Sequence, residues 1–413
     1  MKKIVKTRSL AVAASLTLAA LAPAHAESRA EVIHWWTSGG ESAAVKELAQ
    51  AYKAAGGTWV DHAVAGVETA KATALNRIVG GNPPAAAQFN TSKQFHDLVD
   101  GGLLNNVDEV ALKNGWDKLL PAPILNSVRI KGHYYAVPVN IHMPAWFWYS
   151  KAAFEKAGLK EEPKTPEQLF AALDQLKAAG LVPLALGGQP WQEKLTFDAV
   201  LAHVGGPELY LKFYRDRDAR TIRSEAFKNV LLAFKRLRHY VDAGSAGRNW
   251  NDATSMLISG KAGIQIMGDW AKGEFQAARQ TAGKDFGCFP GLGPKSPYIV
   301  SGDVFVFPKT GDAAVTKAQQ LLAASMTAPA TQVAFNSRKG SIPIRGDVDA
   351  SAMDPCARLG LQVMKDSSRH LPNPEMLVTP DVAGNLQDAV TQYWNTNQSV
   401  DDAVKAIASA MQS

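Results

Sequence analysis

The fold is decided between Val32 and Ala55, where the sequence runs VIHWWTSGGESAAVKELAQAYKAA. The first five residues are mainly β-branched and aromatic, which favours a strand, and the Thr-Ser-Gly-Gly that follows is a loop signal. Farther on, Val45, Leu48 and Tyr52 recur at the spacing of a helix. The stretch therefore predicts a strand, a short loop and a helix in succession.

The same alternation continues downstream. Strands are predicted over residues 58–64 and 85–89, and helices over 70–79 and 95–99, because β-rich runs and helical spacing alternate there. Alternating strands and helices are typical of a mostly parallel sheet flanked by helices. Since ligands bind at the carboxyl ends of strands in such sheets, the loop after Trp36 is a candidate binding edge.

Two later helices have clear terminal signals. One begins at the capping residue Thr165, with Gln168 three positions on, and ends at Gly180. The other is a terminal helix that Ser399 caps and that runs to Ala410.

The first 26 residues predict a signal peptide. A basic start, Met1–Arg8, precedes an apolar run, and Ala24-His25-Ala26 is the small-x-small pattern that signal peptidase cuts. We expect a mature protein in the periplasm, because no cysteine at the cleavage point offers a lipid attachment. No other segment reaches ~18 continuous apolar residues, so no membrane span is expected.

Removal of the leader changes the charge of the protein. The full chain has 44 Lys and Arg against 38 Asp and Glu, a net charge of +6, and loss of the four leader cations leaves +2. No dense basic stripe remains to follow a phosphate backbone, so nucleic acid is not an expected partner. The nine histidines show neither HxH nor HExxH spacing, and neither a metal nor another cofactor is expected.

The sequence contains two cysteines, Cys288 and Cys356. An even pair in an oxidising compartment predicts a disulfide. The alternative is two separate buried thiols.

Six segments carry a resemblance that spans nearly the whole mature chain. They are WYSKAAFEKAGL (148–159) with PKTPE (163–167), SGKAG (259–263) with GDW (268–270), GDVFVFPK (302–309) and LPNP (371–374). In this order they resemble the extracellular solute-binding protein family 1 of ABC importers, the group that contains maltose-binding protein. The resemblance implies an α/β, two-lobed periplasmic binding protein fold. Each lobe is a mostly parallel sheet flanked by helices, and the ligand lies in the cleft between the lobes.

The chain is long enough for two lobes of ~200 residues, each with its own core. We expect the first lobe to comprise residues 27–138 and 309–345, and the second to comprise 139–308 and 346–413. The family resemblance implies a binding protein and not an enzyme. It would be a monomer that closes on a small sugar and then docks on permease subunits in the inner membrane.

A closer resemblance is to the glucose- and mannose-binding branch of that family. It is carried by Trp35-Trp36 with Glu41, by residues 88–93, by Asp303 and by KGSIP at 339–343. The ligand that it implies is a monosaccharide, glucose or mannose.

A pyranose site needs aromatic rings for the apolar C–H faces of the sugar, and fixed donors and acceptors for its hydroxyls. The candidate substrate-binding residues supply both: Trp35, Trp36, Glu41, Gln88, Lys93, Trp270, Asp303, Lys339 and His370. Successive strand residues point to opposite faces, so one of the two adjacent tryptophans could instead face the core. Asp303 interrupts an apolar strand predicted over 297–308, where a buried acid is costly without partners.

Other interpretations stay open at this point. Asn140, His142 and the aromatic run 146–149 lie at the first predicted crossing between the lobes, and we assign them to the interlobe core. An exported glycosidase would need two carboxylates, such as Glu41 and Asp303, across a glycosidic bond. A binder of a disaccharide or oligosaccharide would keep the same fold.

Overall fold

The computed structural model describes residues 28–349, 351 and 353–413, and the predicted leader lies outside the described residues. Thirteen strands are found in this part of the chain: β1 (Ser28–His34), β2 (Gly57–Ala63), β3 (Ala86–Asn90), β4 (Arg129–Ile130), β5 (His133–Tyr134), β6 (Ala136–Pro138), β7 (Trp146–Ser150), β8 (Val182–Leu184), β9 (Ala262–Met267), β10 (Phe286–Phe289), β11 (Tyr298–Val300), β12 (Asp303–Val306) and β13 (His370–Pro372).

Twenty α-helices lie among the same residues: α1 (Gly39–Ala54), α2 (Val67–Val79), α3 (His96–Asp100), α4 (Asp108–Lys113), α5 (Trp116–Leu119), α6 (Ala122–Val128), α7 (Lys151–Lys156), α8 (Pro166–Ala178), α9 (Pro190–Val200), α10 (Gly206–Tyr214), α11 (Ala219–Ile222), α12 (Glu225–Leu237), α13 (Trp250–Ile258), α14 (Ala271–Ala277), α15 (Ala313–Thr327), α16 (Pro329–Lys339), α17 (Pro355–Met364), α18 (Pro374–Leu377), α19 (Pro380–Asn395) and α20 (Val400–Ala410). Within the described ranges, no helix is both long and apolar enough to span a membrane.

Five strands form the first sheet, in the order β2-β1-β3-β12-β6. β1 pairs in parallel with β2 and β3, while β12 runs antiparallel to both β3 and β6. Helix α15 packs against β1, and α1 packs against α15 and α16. β1 ends at His34, two residues earlier than predicted, so Trp35 and Trp36 lie in the loop that follows the strand.

Four strands form the second sheet, in the order β10-β7-β9-β8. β7 runs antiparallel to β10 and β9, and β8 is parallel to β9. Each of these two large sheets thus has one strand that runs against the others, β12 in the first and β7 in the second. In both cases it is the strand by which the chain enters from the other lobe. The predicted two-lobed α/β fold, with mostly parallel sheets flanked by helices, is confirmed.

Backbone pairs tie together the segments that cross between the two sheets. His142 pairs with Ser301, and Ile141 pairs with Ile342. β11 and β13 pair in parallel beside them. These contacts place the polar side chains of the crossings next to one another, at the base of the space between the lobes.

The structure corrects the predicted strand over 297–308, which is in fact two strands. The chain breaks at Ser301-Gly302, where a side chain on Gly302 would lie 2.5 Å from the Asn140 carbonyl oxygen. β12 follows this break, and its hydrogen bonds join it to β3 and β6. It therefore belongs to the first sheet, although the prediction placed 139–308 in the second lobe.

The two predicted helix caps are confirmed. The Thr165 hydroxyl accepts the N–H of Gln168 at 3.2 Å, and the Ser399 hydroxyl accepts the N–H of Asp402 at 3.1 Å. Each satisfies an N–H group that the first turn of its helix leaves unpaired.

The predicted disulfide is also confirmed. Cys288 of β10 and Cys356 of α17 are joined, with their Cα atoms 6.1 Å apart. The bond fastens the edge strand of the second sheet to a helix that packs against it.

Candidate binding cleft

A cleft of about 910 Å³ lies between the two lobes. On the first-lobe side it is lined by the loop after β1 and by one face of α2, and on the second-lobe side by α9, by the start of α13 and by Trp270. The predicted binding edge after Trp36 therefore does border a cavity. Its size lies within the range of roughly 300–1,000 Å³ that is typical of small-molecule sites.

A buried charged cluster stands where the chain crosses between the sheets. We call it the crossing cluster and define it as His142, Asp269, Asp303 and Asn140. His142 donates one ring N–H to Asp269 at 2.5 Å and the other to Asp303 at 2.9 Å. Asp269 follows β9 of the second sheet and Asp303 begins β12 of the first, so the imidazole links a carboxylate from each lobe.

The charges of the crossing cluster stabilise one another. Burial would by itself lower the pKa of His142, but the carboxylates of Asp269 and Asp303 outweigh it and raise that pKa. Burial would likewise raise the pKa of Asp303, yet His142 and further donors lower it overall. Both shifts favour the charged forms of His142 and Asp303.

Asp303 has four hydrogen-bond donors around its carboxylate. They are Asn140 Nδ2 at 2.8 Å, His142 Nε2 at 2.9 Å, Asn90 Nδ2 at 3.2 Å and Gln88 Nε2 at 3.3 Å. Four is the number that the two oxygens of a carboxylate can accept. A ligand hydroxyl can bind Asp303 only if one of the longer bonds yields to it.

A second ion pair lies beside the crossing cluster. Glu41, in the first turn of α1, accepts from Lys339 Nζ at 3.1 Å, and both side chains are buried. The Lys339 ammonium lies 5.7 Å from the ring centroids of Trp36 and Trp270, so it also makes cation–π contacts.

Tryptophans supply the aromatic surface of the cleft on both sides. Trp35 borders it from the first lobe, with the Lys71 ammonium 5.7 Å from its ring centroid. Trp270 and Trp191 border it from the second lobe, with centroids 6.4 Å apart. The rings of Trp270 and His142 are nearly perpendicular, with their centroids 5.1 Å apart, so the aromatic wall lies next to the crossing cluster.

A separate polar group, which we call the helix cluster, consists of Lys194, Asp198 and Tyr214. Lys194 donates to the two carboxylate oxygens of Asp198 at 2.6 and 2.7 Å and contacts the Tyr214 hydroxyl at 2.8 Å. Tyr214 also donates a short hydrogen bond to Asp198. Burial raises the pKa of Asp198 in spite of Lys194, and the nearby Glu375 raises it further. All three members of the helix cluster border the cleft.

The structure brings together five of the nine predicted site residues on the cleft surface: Trp35, Glu41, Trp270, Asp303 and Lys339. Trp36 is a correction, because it is 1% exposed and packs against Phe305 and Phe335 with centroids 5.7 and 5.2 Å away. In the loop after β1, the two neighbours face opposite ways: Trp35 borders the cleft and Trp36 lies in the core.

Three other predicted residues are not part of the cleft lining. Gln88 accepts the Trp35 backbone N–H at 3.1 Å and donates to Asp303, so it positions two residues of the cleft. Lys93 donates to the Leu377 carbonyl at 3.0 Å. The His370 ring contacts the Val363 carbonyl at 3.4 Å, and burial lowers its pKa.

Sequence reasoning missed several residues of the cleft. His142 was assigned to the core, yet it borders the cleft. Lys194 and Asp198 are four residues apart in α9, a spacing that indicates a pair on one face of the helix. Trp191 and Tyr214 carry no local signal of their position. Within residues 28–349, 351 and 353–413, no group of three or more His, Cys, Asp or Glu side chains is arranged to hold a metal.

Comparisons with known proteins agree with this architecture. The sequence profile of the family described as "Bacterial extracellular solute-binding protein" matches residues 36–332. A "Probable sugar-binding periplasmic protein" of Brucella suis biovar 1 is 39% identical over 427 residues, which cover 100% of this chain and 99% of the relative. A protein of the same description from Rhizobium meliloti is 39% identical over 422 residues, again 100% and 99% of the two chains. Among solved structures, a "Chitin oligosaccharide binding protein" superposes with a TM-score of 0.81 at 18% identity, over 93% of this chain and 98% of the other.

Proposed function

This chain belongs to the bacterial extracellular solute-binding protein family, and on this premise we propose that it is the periplasmic sugar-binding protein of an ABC importer. It captures a monosaccharide, glucose or mannose, by closing its two lobes. It then delivers the sugar to permease subunits in the inner membrane. Two relatives that align with the whole chain, each described as a probable sugar-binding periplasmic protein, support the proposal.

One observation carries the proposal: tryptophans of both lobes border a single cleft together with fixed charges. Trp35 and Trp270 offer aromatic faces to the C–H surfaces of a pyranose, and Glu41 and Lys339 offer an acceptor and a donor to its hydroxyls. Because these groups come from two lobes, a ligand that contacts all of them favours the closed state.

A disaccharide or oligosaccharide is the second candidate ligand. The volume of the cleft, about 910 Å³, favours it, since this lies near the upper end of the usual range for small-molecule sites. The helix cluster adds polar groups to the lining and would suit a second sugar unit. The chitin oligosaccharide binding protein, which shares the fold, is a precedent for such a ligand.

The two carboxylates considered from the sequence, Glu41 and Asp303, do not favour a glycosidase. The general acid of a glycosidase needs a raised pKa, whereas the pKa of Asp303 is lowered by His142 and its other donors. Glu41, the other carboxylate considered, is held by Lys339. Both carboxylates are therefore suited to binding and positioning.

Calorimetric titration tests the proposal. The mature protein is stripped of bound ligand by unfolding and refolding, and D-glucose, D-mannose, D-galactose, maltose and an amino acid are injected in turn. One-to-one binding of glucose or mannose supports the monosaccharide reading, and binding of maltose alone would support the second candidate. The absence of a binding signal with every sugar would refute sugar capture.

Adjacent tryptophans provide a matched pair of variants for the same titration. Trp35→Ala removes an aromatic face of the cleft and should weaken binding at least tenfold. Because Trp35 is 8% exposed, this variant should also lower the melting temperature of the sugar-free protein, but by less than Trp36→Ala does. Trp36→Ala opens a cavity in the core and should lower the free energy of unfolding by about 3–5 kcal/mol. Equal melting temperatures for the two variants would contradict this assignment of the two side chains.

A further inference from the structure

Three glycines from three separate segments meet at the base of the cleft. Gly40 lies in the first turn of α1, Gly273 in α14, and Gly340 directly after α16. A methyl group on Gly40 would lie 2.5 Å from the carbonyl carbon of Gly273, and one on Gly273 would lie 2.9 Å from the Arg338 carbonyl oxygen. A methyl group on Gly340 would lie 2.5 Å from the Asp269 carbonyl oxygen. We call this the three-glycine contact.

The three-glycine contact joins the two lobes. Helices α1 and α16 pack with α15, which lies against β1 of the first sheet. Helix α14 belongs to the second lobe, because its Phe275 stacks on Phe286 of β10 with centroids 4.1 Å apart. The backbones of Gly40 and Gly273 therefore approach each other directly, and beside them the Glu274 carboxylate of α14 accepts the N–H of Gly40 at 2.8 Å.

Space, and not backbone conformation, requires glycine at two of these positions. Gly340 has a φ of +90°, which favours glycine in its own right. Gly40 and Gly273 adopt no such conformation. Glycine in a helix is less favourable than alanine, so these two residues lower the stability of their helices but allow a close approach.

Each glycine is a neighbour of a side chain that borders the cleft. Glu41 follows Gly40, Lys339 precedes Gly340, and Trp270 lies three residues before Gly273. The separation of these backbones therefore determines the distance between the side chains next to them. It fixes the Lys339 ammonium 5.7 Å from the Trp270 ring centroid.

We propose that the three-glycine contact is a specificity-determining element. It sets the gap between the Glu41–Lys339 pair of the first lobe and Trp270 of the second, and so the thickness of the sugar ring that the cleft accepts. The proposal deepens the proposed function and depends on it for the nature of the ligand. It makes Gly40 and Gly273 positioning residues, which act on the sugar through the side chains next to them.

The test compares two adjacent glycines of α1. Gly40→Ala places a methyl group against the backbone of Gly273, whereas Gly39→Ala places it 3.6 Å from the end of the Glu274 side chain, an ordinary contact. Both variants are titrated with D-glucose, D-mannose, D-galactose and maltose. We expect Gly40→Ala to lose at least tenfold in affinity for the best of these sugars, at an unchanged stoichiometry. Gly39→Ala should stay within twofold of the unsubstituted protein.

Crystal structures of the two variants without sugar give a second readout. Relief of a 2.5 Å contact to an ordinary one near 3.5 Å requires a shift of about 1 Å. The distance from Lys339 Nζ to the Trp270 centroid should lengthen by a similar amount in Gly40→Ala and stay at 5.7 Å in Gly39→Ala.

The outcomes separate this proposal from the proposed function. If the unsubstituted protein binds none of the sugars, the proposed function fails, while the Lys339–Trp270 distance still decides whether the contact sets the gap. If Gly40→Ala keeps both its affinity and this distance, or if Gly39→Ala loses as much affinity as Gly40→Ala, the proposal is overturned. Should Gly40→Ala fail to fold, Gly273→Ala, with its milder 2.9 Å contact, is judged by the same criteria.

Discussion

The crossing cluster and the helix cluster each hold a buried aspartate at the cleft, but they hold it in opposite ways. Asp303 has four donors, and its pKa is lowered despite burial. Asp198 has Lys194 and Tyr214, and burial raises its pKa despite the lysine. The surroundings therefore favour the ionised form of the carboxyl group at Asp303 and disfavour it at Asp198.

The origin of the partners explains the difference. Lys194 lies one helical turn from Asp198, and Tyr214 is on the next α-helix, so the helix cluster is assembled within one lobe. The partners of Asp303 come from β3, from the crossing segment and, through His142, from the second lobe. Convergence of several segments gives a carboxylate enough donors to offset its desolvation, and a local pair does not.

Removal of the basic residue from each cluster, His142 or Lys194, is expected to have the largest effect on the free energy of unfolding. His142→Leu leaves Asp269 and Asp303 buried without the imidazole, and should lower the free energy of unfolding at pH 7 by about 3–5 kcal/mol. Lys194→Leu should cost less than half as much, because Asp198 keeps Tyr214 and its raised pKa lets it take up a proton. Urea unfolding followed by tryptophan fluorescence measures both. Equal losses would abolish the distinction between the clusters.

Neutralisation of the aspartate should change the stability of the protein differently in the two clusters. Asp303→Asn removes a charge that its surroundings favour and should cost about 1–3 kcal/mol at pH 7. Asp198→Asn removes a charge that burial disfavours and should leave stability unchanged or slightly higher. The melting temperatures of the two variants, measured in the same buffer, check this. A larger loss for Asp198→Asn would contradict the opposite pKa directions.

The two clusters should also respond to pH in different ranges. The pKa of His142 is raised above its ordinary 6.5 in the folded protein, so its contribution is complete below pH 6.5 and is lost as the pH rises through the folded value. The loss can reach about 1.4 kcal/mol per pH unit. The pKa of Asp198 is raised above 3.8, so its contribution declines as the pH rises from 3.8 to its folded value.

Melting curves from pH 4 to pH 10 test this pH dependence. The decline above pH 6.5 should be weaker in His142→Leu, and the decline above pH 3.8 should be weaker in Asp198→Asn. Curves for either variant that run parallel to those of the unsubstituted protein would show that another group is responsible.

Loss of a single donor from each cluster tests directly whether the number of donors matters. Asn90→Ala removes one of four donors from Asp303, at 3.2 Å, and should cost about 1 kcal/mol. Tyr214→Phe removes one of the two groups around Asp198 and should cost about 2 kcal/mol. Thermal unfolding at pH 7 resolves this difference. The reverse order would mean that the number of donors does not determine how well each aspartate is held.

Local patterns predicted the fold better than they predicted the site. The alternation from Val32 onward, the caps at Thr165 and Ser399, and the binding edge after Trp36 follow from short-range spacing, and the structure contains all of them. Short-range spacing succeeds because propensity, capping and periodicity act over a few residues.

The errors have a common physical cause, which is pairing between distant parts of the chain. His142 is buried at the crossing between the lobes, as assigned, but its place at the cleft was missed because its partners Asp269 and Asp303 are 127 and 161 residues away. β12 was placed in the wrong lobe because the apolar run around it does not reveal a break at Ser301-Gly302. Trp35 and Trp36 were both candidates, since the sequence does not say which of two neighbours faces a cleft.

The disulfide encloses the whole second passage of the chain through the first lobe, since β12, α15 and α16 all lie between Cys288 and Cys356. In mechanical terms, the chain between the two cysteines, which are 68 positions apart in sequence, forms a ring that a force applied to the chain ends cannot stretch. At ~3.4 Å per residue, the oxidised chain pulled from its ends would extend roughly 230 Å less than the reduced one. Under load, the segment before Cys288 would lengthen first, while Asp303 and Lys339 would stay within a loop anchored to the second lobe.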